Sequence, residues 1–319
     1  MAPLKRHPAY GIQRVGPSGR QTRRPARCPI DRAGHPLPRG LSATERADFA
    51  GVRWARGDYT CALKAARAAT RRDPSCAAGW RFAGCALAGL GNLRRAVQAF
   101  SRAVRLDPKD RVAQAGLGIN LVLLNRRDAA EPALRAAAGL DPGDPDVWYH
   151  LGAIEEGHGR PLAALKAYRE VIRIDPKYGG IFSDLAGALS SLGRHEQAKD
   201  AYREAVRRDP ADVTAIADLG STLQELGKLA EAEETFREAV RLCPRDWYLR
   251  SLLASALGER DRWREAEDQL RAAVRLRPRA WQAHLALAEV LEARGEAGTA
   301  REHYRKAMRL KPPGVRIEE

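Results

Sequence analysis

The side chains able to carry covalent or acid–base chemistry are few and scattered. The seven histidines fall at unrelated places, and His150 and His158, eight residues apart, lack a carboxylate or thiolate at ligand spacing. Surface or packing roles suit them better than a metal. The five cysteines, at 28, 61, 76, 85 and 243, include no CxxC pair. An odd, dispersed set argues against a disulfide framework and a structural zinc site, and for a reducing, cytoplasmic compartment. No GxxxxGKS/T, HExxH or GxSxG motif is present. Gly89-Leu90-Gly91 looks like part of a phosphate loop, but no strand precedes it, so it reads as a helix–helix turn. The expectation is a non-enzymatic chain with no catalytic residues, no cofactor and no metal.

What the chain does carry in quantity is charge. Among 319 residues, 55 are basic and 40 acidic, a net charge of +15. Residues 1–42 hold nine bases, one acid (Asp31) and seven of the 19 prolines. Such a segment buries too little apolar surface to offset its ordering entropy and is expected to be a disordered basic arm. Its Arg20, Arg23, Arg24 and Arg27, with no interleaved aromatics, fit nonspecific contact with nucleic acid or an anionic membrane. They fit equally a solubilising tail or a start codon chosen too far upstream. No apolar run approaches a membrane span, and Met1 to Tyr10 has no apolar h-region, so neither a transmembrane helix nor a secretory signal is expected.

The elements that must position these groups follow from a strict period. Proline recurs at 74, 108, 142, 176, 210, 244, 278 and 312, always 34 residues apart. Proline cannot continue a helix and drives its predecessor out of the α region, so each one closes a unit. The units are 43–76, 77–110, 111–144, 145–178, 179–212, 213–246, 247–280 and 281–314, with a tail at 315–319. Each unit predicts two helices around a turn at Gly57, Gly91, Asn125, Gly159, Gly193, Gly227, Asp261 or Gly295. That place calls for a left-handed backbone, which glycine adopts freely and Asn or Asp tolerate best among the rest. The second helix runs small–large–small on one face, as in Ala96, Phe100 and Ala103 or Ala164, Tyr168 and Val171. Arginines stand at one place of the second helix in seven of eight units, and again four residues later, from Arg67 and Arg71 to Arg305 and Arg309. Two parallel arginine rows on an outer face follow. They read either as a track for phosphates or as ordinary surface arginines, partly neutralised by Glu170, Glu204 and Glu238.

The chain resembles the tetratricopeptide repeat family, whose 34-residue period and W-x2-L-G-x2-Y…A-x3-F…P pattern are met most fully in Trp80, Gly84, Leu87, Ala96, Phe100 and Pro108, and in Trp148, Leu151, Gly152, Ala164, Tyr168 and Pro176. The resemblance implies an all-α superhelical solenoid of eight helix–turn–helix repeats. Some units depart from the pattern. Arg46, Gln114 and His284 occupy the first-helix aromatic slot, and Pro132 stands early in a second helix, marking the third unit as a soft point where the array splits into two folding blocks. The last helix is expected to face water through Arg301, Glu302, Arg305 and Lys306.

The resemblance also implies a concave groove lined by first helices that binds peptide segments or a partner's helix. Carried over, the groove residues are Arg81, Asp146, Tyr149, Glu156, Ser190, Gln224, Glu225, Tyr248, Gln282, Glu289 and Glu292. Its N-terminal half is expected to be apolar (Ala78, Cys85, Val112, Ala115, Ile119, Val122 and Leu123) and its C-terminal half acidic and rich in hydroxyls. Such a cleft would attract a basic or neutral polar protein segment. The Lys and Asn set that holds a C-terminal carboxylate in the chaperone-binding relatives is absent, as is the asparagine ladder of the sugar-transferase relatives. The expected function is a protein–protein interaction scaffold or adaptor that binds partner segments in the groove; the alternative is a nucleic-acid-associated protein using the arm and the arginine rows. An enzymatic role would need a catalytic domain on another chain.

Overall fold

The computed structural model describes residues 40–312. Arg20, Arg23, Arg24, Arg27 and Cys28 of the basic arm, and the tail 315–319, lie outside the described residues. All regular structure among the described residues is helical and comes in pairs: α1 (Ala43–Ala55) with α2 (Tyr59–Arg72), α3 (Ala77–Gly89) with α4 (Leu93–Leu106), α5 (Arg111–Leu123) with α6 (Arg127–Leu140), α7 (Pro145–Gly157) with α8 (Pro161–Ile174), α9 (Ile181–Ser190) with α10 (His195–Arg208), α11 (Val213–Glu225) with α12 (Leu229–Leu242), α13 (Trp247–Gly258) with α14 (Trp263–Leu276) and α15 (Trp281–Ala293) with α16 (Ala297–Leu310). The chain falls into two compact units, one ending at Tyr178 and the other beginning at Gly179. In the first, α1, α3, α5 and α7 neighbour one another and are backed by α2, α4, α6 and α8. In the second, α11, α13 and α15 do the same, backed by α12, α14 and α16.

Aspartates set the helix boundaries. Asp110, Asp212 and Asp246 cap first helices, each side chain accepting from backbone N–H groups two or three residues on. At the other end, Asp73, Asp107, Asp141, Asp175 and Asp209 are the C-caps before the repeat proline. Each accepts from the N–H two residues on, closing an Asx turn. The turn within each repeat has positive φ, including +58° at both Asn125 and Asp261, the two non-glycine substitutes.

Packing follows the small–large–small face. Phe100 is fully buried. It sits between Gly84 of its own repeat and Gly116 of the next, where an added Cβ would lie 2.7 Å and 2.5 Å from its ring. The aromatic slot of the first helix works through a different property from the one its name implies. Trp80 and Trp148 donate their indole N–H to the carbonyls of Pro74 and Pro142, at 2.9 Å and 3.0 Å. Gln114 Nε2 donates to Pro108, Arg250 Nε to Pro244, and His284 Nε2 to Pro278, at 3.0 to 3.1 Å. The carbonyl is always six residues back. In these five repeats the slot takes a side chain with an N–H at that reach, so Gln114 and His284 stand in for tryptophan; Phe182 and Ile216 fill the slot of two other repeats without such a donor, and Arg46 reaches the carbonyl of Leu41, five residues back.

Pro132 lies inside a continuous α6. The division into compact units falls between Tyr178 and Gly179, at the end of the fourth repeat, and Gly180, with φ +82°, stands as the N-cap of α9, which is 10 residues long. Cys76 and Cys85 are buried free thiols and Cys243 an exposed one, but Cys61 is disulfide-bonded, against the expectation from the spacing alone. At the end of the array Arg301, Glu302, Arg305 and Lys306 are all exposed, and α16 buries only Ala300 and Ala307.

Candidate functional site

Four expected groove residues belong to the first unit, and most are committed to the fold. Asp146 is 3% exposed, and the Tyr178 hydroxyl donates to its Oδ1 at 2.7 Å. It is therefore a structural anchor and not an open groove carboxylate. Tyr149 is half-buried, its ring 5.4 Å from Tyr178 and 6.2 Å from Tyr168. Arg81 pairs with the α5 cap Asp110 at 3.2 Å and lies over the Phe82 ring. Glu156 is exposed, and Tyr168 donates its hydroxyl to it at 2.9 Å. Of the expected apolar half of the groove, Cys85, Ala115 and Ile119 are closed, each 1% exposed, while Ala78, Val112, Val122 and Leu123 are half-buried. Neighbouring first helices lie side by side and bury the closed positions between them. Burial pushes the Cys85 thiol up to about 12, which makes it inert as a nucleophile.

The second unit keeps its first-helix face open. Glu225, Tyr248, Gln282, Glu289 and Glu292 are exposed, and Ser190 and Gln224 half-buried. Tyr248, more than half exposed at 55%, presents a large aromatic surface with its ring edge-on to Trp247. Gln224 Nε2 donates to Ser255 Oγ at 3.0 Å and also pairs with Glu259. Burial, then the adjacent Glu292, pushes the Glu289 carboxyl above its ordinary range. Glu292 accepts the Tyr304 hydroxyl at 2.8 Å, and burial followed by that carboxylate pushes the phenol up to about 12. The hydroxyls of Ser221 and Ser251 turn back onto carbonyls of their own helices, so the face is acidic more than hydroxyl-rich. Arg250, the one arginine or lysine on α11, α13 and α15, is tied to Pro244 and Gln269.

Sequence reading missed the ion-pair clamps on the second helices. Glu233 is 4% exposed and is held by Arg237 of its own helix and by Arg260 and Arg262 of the next repeat. Burial pushes its carboxyl up, but the hydrogen bonds and charges of Arg237 and Arg262 outweigh that and hold it below its ordinary value. Glu267 is held likewise by Arg271 and Arg294. The outer arginines from α6 onward are largely paired: Arg135 with Glu131 and Glu155, Arg173 with Glu170, Arg203 with Glu231, Arg207 with Glu204 and Arg241 with Glu238. A shallow depression at the helix turns is lined by Lys228, Glu231, Glu259, Arg260 and Asp261 among others. Among the described residues no group of three or more His, Cys, Asp or Glu is placed to hold a metal, and no helix is long and apolar enough to cross a membrane.

An array of paired helices with a repeating 34-residue period defines a helical-repeat interaction protein. Two family models match the chain: a tetratricopeptide repeat over residues 48–111 and 251–315, and the C-terminal domain of cilia and flagella-associated protein 70 over residues 112–247. The chain belongs to the tetratricopeptide repeat family. Such repeats are protein–protein interaction scaffolds, and the fold itself is a non-catalytic one. Solved structures share the fold at low identity. YrrB, described as a TPR protein with an unusual peptide-binding site, is 20% identical with a TM-score of 0.53, covering 59% of this chain and 96% of its own. PilF of Pseudomonas aeruginosa is 21% identical with a TM-score of 0.54, covering 65% and 96%. The Cut9–Hcn1 hetero-tetramer of the APC/C is 17% identical with a TM-score of 0.54, covering 82% and 53%. No curated protein matches the chain.

Proposed function

We propose that the chain is an adaptor that holds a basic protein segment on the open first-helix face of its second unit. One observation carries this reading. The exposed carboxylates Glu225, Glu259, Glu289 and Glu292 share that face with the exposed Tyr248, and the arginine beside them is tied back onto the backbone. Acids gathered on one face of a basic chain favour a cationic ligand, and an exposed aromatic supplies an apolar anchor of the kind enriched at interface hot spots. Gln224 and Gln282 add neutral donors and acceptors that fix the register of an extended segment. The fold shared with YrrB, whose description names a peptide-binding site, agrees with this class of ligand.

The test is fluorescence polarisation with a lysine- and arginine-rich peptide and its acidic counterpart. The basic peptide binds and the acidic one does not. Glu289→Gln with Glu292→Gln weakens binding by about fivefold, the size expected of two partly screened charges. Tyr248→Ala weakens it further. Ionisation of Glu289 is resisted by burial and by Glu292, so a bound cation draws its proton off, and affinity rises as pH increases through and above the ordinary 4.5 of a glutamate. Equal binding of both peptides, or full affinity in the double variant, refutes the reading.

A further inference from the structure

The net charge of the chain resides at one end. Residues 1–106 carry 21 bases against five acids, and residues 107–319 carry 34 against 35. Within that end, α2 and α4 contain no Asp or Glu at all. On α2, Lys64, Arg67, Arg71 and Arg72 are exposed, and on α4 so are Arg94, Arg95, Arg102 and Arg105. None of the eight makes an ion pair among the described residues; Arg71 donates only to the carbonyl of Arg67. The acid between the two helices, Asp73, is used up in a turn with Ser75. The same row positions on α10 and α12 hold Arg207 and Arg241, each neutralised by a glutamate three residues earlier at 2.7 and 2.6 Å. The rows are thus two different surfaces: compensated on α10 and α12, uncompensated on α2 and α4.

We infer that the outer face of α2 and α4 binds the phosphate backbone of a nucleic-acid duplex, without reading its sequence. Seven of the eight cations are arginine, whose planar fork matches phosphate oxygens two at a time. Lys64, Arg67 and Arg71 form one stripe of α2, and Arg95, Arg102 and Arg105 one stripe of α4, at helical spacing. Each stripe is a row of charges suited to a regularly spaced polyanion. The exposed positions of the two helices include no aromatic to stack on unpaired bases and no large apolar side chain to enter a bilayer. What remains is charge geometry, which a duplex backbone satisfies. This surface is separate from the peptide-binding face proposed above and stands or falls without it.

The experiment is fluorescence anisotropy of the full chain with DNA and RNA duplexes of about 20 base pairs, titrated from about 50 to 200 mM salt. Both duplexes bind with comparable affinity and a steep salt dependence. The variant R67Q/R71Q/R102Q/R105Q keeps helix-favouring side chains at exposed sites, and circular dichroism checks that its helix content is intact. It flattens the slope of log affinity against log salt by about 3 to 4 and weakens binding at least ~10-fold at the lower salt. R207Q/R241Q, at the ion-paired equivalents, leaves slope and affinity unchanged. Three results overturn the inference: no duplex binding at the lowest salt; unchanged binding in the quadruple α2/α4 variant with loss in R20Q/R23Q/R24Q/R27Q; or binding to phosphatidylserine vesicles or polyglutamate in place of duplex.

Discussion

Phe100 shows how close the tolerances are at the scale of single residues. Its ring fills the space left by two absent side chains, at Gly84 and Gly116. Gly116→Ala would gain about 1 kcal/mol of helix propensity, but the new methyl meets ring atoms at 2.5 and 2.6 Å. Overpacking a buried ring costs roughly 1–3 kcal/mol, so a net loss of up to about 2 kcal/mol is expected from urea denaturation. Adding Phe100→Leu should recover part of that loss, because the two changes share one space. A midpoint equal to the parent's would show that the ring has room to move. The proline-carbonyl contact is a residue-scale rule of the same kind: Trp80, Gln114, Trp148, Arg250 and His284 differ in size and charge and share only an N–H at the right reach.

At the scale of elements, the second helices are linked across repeats by buried carboxylates. Glu233 joins α12 to the turn after α13 through Arg260 and Arg262. Its carboxyl is held below the ordinary 4.5, so its ionised form is favoured by folding. The stability it contributes is present above about pH 4.5 and disappears as pH falls through the lowered folded-state value. Glu233→Gln is expected to cost about 1–2 kcal/mol at neutral pH, less than a fully buried pair because its arginines remain partly in solvent. Between about pH 6 and pH 3 the variant should lose less stability than the parent. Parallel pH profiles in chemical denaturation would show that the clamp adds nothing to folding.

At the scale of the whole molecule, the two compact units and the uneven charge are the features that matter. Gly180, the N-cap of the second unit's first helix, has φ +82°, a region costly to residues with a Cβ. Gly180→Ala is expected to destabilise the start of that unit by about 1 kcal/mol. Native-state hydrogen exchange should show weaker protection across α9 and α10, with α5 to α7 unchanged; a uniform loss along the chain would mean that the units unfold as one block. The charge has a corresponding division: acids on the first helices of the second unit, and uncompensated arginines on α2 and α4 of the first.

The sequence by itself determined the repeat, the helix pairs and their turns. Those rest on local chemistry: a proline that ends a helix, an aspartate that caps one, and a left-handed place that selects Gly, Asn or Asp. It did not reveal which carried-over groove positions are open. Asp146 and Glu225 read alike in one dimension, yet Asp146 is closed by Tyr178, 32 residues away, and Glu225 faces solvent. The glutamates three residues before Arg173, Arg207 and Arg241 were legible, but not the partners one repeat on: Arg203 finds Glu231 28 residues later, while among the described residues Arg67 and Arg102 find no acid. Those outcomes depend on neighbours one repeat away, and only the stacking of helices brings such neighbours into contact.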